Sequence, residues 1–94
     1  MQSCLVYFYL SNIKLMQTEL YEKLANIEHE RWADWQKYLH SVCVDNDDGS
    51  LTIPICLVEH WEKQINTPYK KLTEAEKNSD REQVDRYWHL IEYH

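Results

Sequence analysis

The chain has 94 residues, so it makes one domain with room for a single site. One Gly and two Pro leave little material for hairpin turns or a phosphate-cradling glycine loop, and the chain should be helical. Sixteen acidic against ten basic residues give a net charge of −6, which argues against nonspecific binding to DNA or to a polyanionic membrane surface and does not exclude a small anion held locally.

In chain order, the first apolar run is Cys4 to Leu10, seven residues, far short of the roughly 20 that a spanning helix needs. No membrane anchor is expected from it. Met16 opens a segment of different character, so residues 1–15 read as an upstream extension, a short strand or helix laid on a domain that covers 16–94. Cys4, Cys43 and Cys56 cannot all pair with one another, and no secretory signal precedes them, which points to reduced thiols in a cytoplasm.

The first helix is expected over about 17–42. Leu20, Leu24, Ile27, Trp35, Tyr38, Leu39 and Val42 recur at helical spacing, with Thr18 as the cap. The polar cluster from Asp45 to Ser50, with the one glycine, breaks it. A second helix over 54–65 opens on Pro54 in its first turn and turns Cys56, Leu57, Trp61 and Ile65 inward. Asn66-Thr67-Pro68-Tyr69 ends that helix, because the residue before a proline is pushed out of the helical region. Thr73-x-x-Glu76 is a capping box that starts the third helix, over 74–92. These three helices are expected to pack around Leu24, Ile27, Trp35, Leu57, Trp61, Val84 and Trp88.

The third helix carries an oddity. Its stripe Val84, Tyr87, Trp88 and Ile91 projects backwards onto Lys77, Asp80 and Arg81, and a charge turned inward needs a partner. The first helix supplies candidates in Glu28, His29 and Arg31, so Asp80 or Arg81 is expected to touch the Glu28–Trp32 segment, as a binding site or as a structural clasp.

Metal and catalytic signatures are weak. His40-x-x-Cys43 and Cys56-x-x-x-His60 have ligand spacing that suits zinc within each pair, but they lack the paired-cysteine knuckle, and no metal or other cofactor is expected. A calcium loop with Gly49 in sixth place would put Val44 and Ile55 at its two end ligands. There is no nucleophile elbow, phosphate loop or His-Glu-x-x-His helix, and the expectation is that the chain is not an enzyme.

Two series of residues stand at fixed offsets: Ala25-Asn26-Ile27-Glu28-His29-Glu30-Arg31-Trp32, and Pro68-Tyr69-x-x-Leu72-x-x-x-Glu76-Lys77-x-x-Asp80-Arg81. Together they resemble the ryanodine-receptor repeat domain, or RyR domain, over roughly residues 17–94. The resemblance implies a mainly α, compact three-helix domain with residues 1–15 as an N-terminal extension. It also implies a nucleotide-binding module without catalysis of its own, of a kind found in small prokaryotic and phage proteins. The acidic stretch Asp45 to Ser50 departs from the glycine- and lysine-containing connection usual in that family, so no ligand contact is carried over to it.

With the resemblance, the candidate ligand frame is His29, Arg31, Trp32, Trp61, Tyr69, Lys77, Asp80 and Arg81. The aromatic rings would stack on a base, and Arg31, Lys77 or Arg81 would meet phosphate, in a pocket between the first helix and the Pro68–Arg81 segment. The expected partner is a nucleotide-type small molecule, not a membrane and not nucleic acid directly, and a homo-oligomer is compatible with this. A module with no effector unit would serve by sequestration, as a phage needs against a nucleotide immune signal of its host. The alternative is an acidic module that acts on a host protein by presenting carboxylates over one open face.

Overall fold

A computed structural model describes residues 2–92, with side chains described from Tyr9 to Glu92. The chain is mainly α. Helix α1 spans Gln2–Val42, a short antiparallel pair joins β1 (Val44–Asp45) to β2 (Leu51–Thr52), α2 spans Ile55–Ile65, a 3₁₀ turn covers Tyr69–Lys71, and α3 spans Glu74–Glu92. Val44 pairs with Thr52 and Asp45 with Leu51.

Helix α1 does not begin near residue 17. It runs unbroken through the segment expected as an extension and reaches 41 residues, about 60 Å at 1.5 Å per residue. Residues 2–15 contain no proline or glycine that would stop it. The side chain of Cys4 lies outside the described residues; Cys43 and Cys56 are free thiols.

The polar break after α1 is a hairpin, which the scarcity of glycine had argued against. The one glycine sits where it is needed: Gly49 has φ +86°, and its N–H donates to the Asn46 carbonyl at 3.1 Å while the Asn46 N–H donates to the Ser50 carbonyl at 2.9 Å. This is a tight turn followed by a left-handed residue, a common short hairpin connection. Asn46 Nδ2 braces it by donating to Ser50 Oγ and Thr52 Oγ1, at 3.0 and 2.9 Å.

Both later helices end and begin on local chemistry. Pro54 is the N-cap of α2, one residue before its first turn, and its carbonyl accepts from the N–H groups of Leu57 and Val58. At the other end Asn66 Nδ2 donates to the Glu62 carbonyl and Thr67 Oγ1 to the Lys63 carbonyl, at 2.8 and 2.6 Å, before Pro68 stops the chain from continuing. The capping box forms at α3: the Glu76 N–H donates to Thr73 Oγ1 at 3.2 Å, and the Thr73 N–H donates to Glu76 Oε1 at 3.1 Å.

The packing differs from the expected compact core. The radius of gyration is 20.6 Å, against about 12 Å for a compact chain of this length. No side chain among the described residues is buried. Leu24, Ile27, Leu57 and Trp61 are half-buried, whereas Trp35, Val84 and Trp88 are exposed, Trp88 to 51%. Cys56 and Ile65, expected on the inner stripe of α2, are also exposed, and Val58 and Gln64 are the half-buried positions there with Leu57 and Trp61. On α3 the shielded positions are Glu76, Lys77, Gln83, Arg86, Tyr87 and Leu90. The inner face is therefore turned by about one residue from the apolar stripe, and it is largely polar.

Candidate functional site

The three helices enclose a cleft of about 730 Å³. Arg31, Asp34, Trp35 and Tyr38 of α1 form one wall, Leu57, His60, Trp61 and Gln64 of α2 a second, and Glu76, Ser79, Asp80 and Gln83 of α3 a third, with Ile65 and Leu72 also lining it. Each wall repeats the same offsets of three, four and seven residues, which place four side chains on one face of a helix.

Each pair of walls is tied by a side-chain contact. Trp35 meets Trp61 edge to face at 5.7 Å between centroids, tying α1 to α2. Gln64 Nε2 donates to Glu76 Oε2 at 2.8 Å, tying α2 to α3. Arg86 Nη2 donates to Asp34 Oδ2 at 2.9 Å, tying α3 back to α1. Tyr38 packs beside Trp35 at 5.5 Å and is itself exposed, so the aromatic floor stays open to a ligand.

Two charged groups of the cleft, Arg31 and Glu76, are held by hydrogen-bond partners. Arg31 donates through Nε and Nη2 to Glu28 Oε2, at 2.9 and 2.7 Å. This hydrogen bond holds the guanidinium pKa above its ordinary value; burial opposes it less strongly, and the Glu28 charge adds a smaller push in the same direction as the bond. The Glu76 carboxyl is held below the usual range, first by the Gln64 amide and then by the Thr73 N–H and hydroxyl. Asp34 and Glu76 are thus committed to partners, whereas Asp80 makes no hydrogen bond or ion pair among the described residues.

Only three residues of the expected frame, Arg31, Trp61 and Asp80, line this cleft. His29 and Trp32 stack on each other at 6.0 Å on another face of α1, with Trp32 55% exposed. Tyr69, Lys77 and Arg81 gather where the 3₁₀ turn meets α3. Lys77 Nζ lies 5.7 Å from the centre of the Tyr69 ring and 3.8 Å from Glu74, and Arg81 Nη1 donates to Glu74 Oε2 and Asn78 Oδ1 at 3.1 and 2.8 Å. Among the described residues no hydrogen bond or ion pair joins Asp80 or Arg81 to Glu28–Trp32; the charged link between α1 and α3 is Arg86–Asp34. The convergence of His29, Trp32 and Tyr69 on one pocket does not occur, because residues 29 and 32 stand well round the helix from residue 31 at 100° per residue.

Trp35, Tyr38, His60, Gln64 and Ser79 were not among the candidates. The repeat of offsets three, four and seven starting from Arg31, Leu57 and Glu76 is the signal that would have found them. Among the described residues no group of three or more His, Cys, Asp or Glu side chains is placed to hold a metal ion, and no helix is long and apolar enough to cross a membrane. No protein-family model, curated protein or solved structure matches the chain.

Proposed function

We propose that this chain is a non-catalytic module of the RyR-like kind that holds a nucleotide-type small molecule in the cleft between α1, α2 and α3. The observation that carries this is the presence of Arg31, Trp35, Tyr38, Trp61 and Asp80 on one cleft of about 730 Å³, within the range of small-molecule sites. Exposed rings of Tyr38 and Trp35 offer stacking surface to a base, and Asp80, Ser79 and Gln83 offer partners to base and ribose hydrogen-bonding groups. Arg31 is charged at every working pH and meets a phosphate.

The charge balance narrows the ligand. Beside Arg31 and His60 the cleft carries Asp34, Glu76 and Asp80, so a ligand with one or two phosphates fits better than a chain of them. Ser79 and His60 share the cleft without a hydrogen bond between them among the described residues, and the module is read as one that binds without turnover. Sequestration of a nucleotide signal, as a phage would use against its host, is the role we assign to a module of this kind.

The test is native mass spectrometry and calorimetry of the purified chain with nucleosides and with linear and cyclic nucleotides. One nucleotide per chain should bind and come back chemically intact. Arg31→Ala and Tyr38→Ala should each weaken binding by about 1–3 kcal/mol, the scale of one charge-assisted bond or one stacked base. His29→Ala and Arg81→Ala should leave it unchanged, since neither residue lines the cleft. Failure of every nucleotide to bind would turn the assignment towards the acidic module that acts on a protein.

A further inference from the structure

We propose that a second copy of this chain packs against α1 along the stripe from Leu10 to Leu24, in an isologous pair. In the second half of α1 the stripe that starts at Ile27 continues through Arg31, Trp35 and Tyr38, which line the cleft with α2 and α3. The same line continues towards the start of α1 as Leu24, Leu20, Gln17, Ile13 and Leu10, in alternating steps of three and four residues, the spacing of a helix–helix seam. None of these is buried: Ile13, Leu20 and Leu24 are half-buried, and Leu10 and Gln17 are exposed.

Three observations point to a like copy as the cover. The first is area. The chain presents 8228 Å² of accessible surface, whereas a folded monomer of 11.5 kDa presents about 5,800 Å². The excess over the whole chain is roughly 2,400 Å², or about 4,800 Å² for a pair, inside the range of about 2,000–5,000 Å² in total that obligate homodimers bury. The second is charge. The chain as a whole carries −6 and repels its copies, but residues 9–27 hold Lys14 and Lys23 against Glu19 and Glu22, so this segment approaches its twin without a net-charge penalty. The third is helix stability. A helical arm of this length with no neighbour is marginal in water, and an apolar seam is what keeps it formed.

This surface is separate from the cleft, so the pairing stands or falls independently of the ligand. The decisive measurement is sedimentation equilibrium of the full chain, together with thermal unfolding at protein concentrations from low to high micromolar. The expected result is the mass of two chains and a Tm that rises with concentration. Leu20→Glu combined with Leu24→Glu should raise the dimer dissociation constant by more than about a hundredfold. Leu15→Glu, an equally apolar residue of the same helix that is 59% exposed and off the stripe, should leave it unchanged. A single-chain mass and a concentration-independent Tm for the unaltered protein would overturn the proposal, and so would equal loss of pairing in Leu15→Glu. Because the unaltered protein is read by itself, failure of the double variant to fold does not blur the result.

Discussion

Thr73 and Glu76 decide where α3 begins, and through Gln64 they also decide where α2 rests. Thr73→Ala removes the side-chain acceptor for the Glu76 N–H, and the loss should be about 1 kcal/mol of stability in denaturant titrations. The acid response follows from the direction of the Glu76 shift. Its carboxyl is more acidic in the folded chain, chiefly through the Gln64 amide, so its contribution is complete above the ordinary glutamate range of about 4.3 and is lost as the pH falls through the lower folded value. Glu74 adds to the same slope, since Arg81 and then Lys77 hold its carboxyl down. Melting curves from neutral pH into the acid range should therefore show a falling Tm, with a shallower fall in Gln64→Ala; identical slopes would mean that the amide does not hold the carboxylate. At this scale the sequence was legible where a side chain acts on its own neighbourhood, as in Thr73-x-x-Glu76. It was not legible for Asp80 and Arg81: one residue apart on a helix they point about 100° from each other, and the choice of which faces the cleft depends on α1 and α2.

Among the elements, the hairpin between α1 and α2 turns on one residue. Gly49 has φ +86°, and a Cβ built there meets nothing within 4 Å, so the cost of Gly49→Ala is purely that of the left-handed backbone. That cost is about 1 kcal/mol, and Gly49→Asn should recover most of it because asparagine tolerates this region. Equal losses in both variants, measured by denaturant titration, would place the cost in a contact instead. The end of α2 and the start of α3 were readable because Asn66, Thr67, Pro68 and the capping box act locally. The inner face of α3 was not. Val84, Trp88 and Ile91 suggest a buried stripe by hydropathy, but the shielded side carries Glu76, Gln83 and Arg86, which answer to Gln64, the cleft and Asp34. A helix that lines a polar cleft turns polar residues inward, and periodicity of apolar residues then tracks a different surface.

For the whole molecule, hydrophobic content alone cannot tell a core from an interface. A chain with 44% hydrophobic residues reads as compact, yet its apolar side chains are spread along a helix of 41 residues and none is buried among those described. The contacts that join the walls of the cleft lie within one chain and should not depend on protein concentration. The first half of α1, by contrast, draws its protection from whatever covers Leu20 and Leu24. Amide hydrogen exchange separates the two regions, because each amide reports its own opening free energy. Amides of residues 31–38, 57–64 and 76–87 should exchange at the same rate in dilute and concentrated solution while the fold persists. Amides of residues 9–24 should slow as concentration rises, tenfold for about every 1.4 kcal/mol that pairing adds to their opening. If the arm is fast at every concentration, α1 is frayed there and carries no seam. If it is slow at every concentration, its helix is held from within the chain, and the surface along Leu20 and Leu24 needs no second copy.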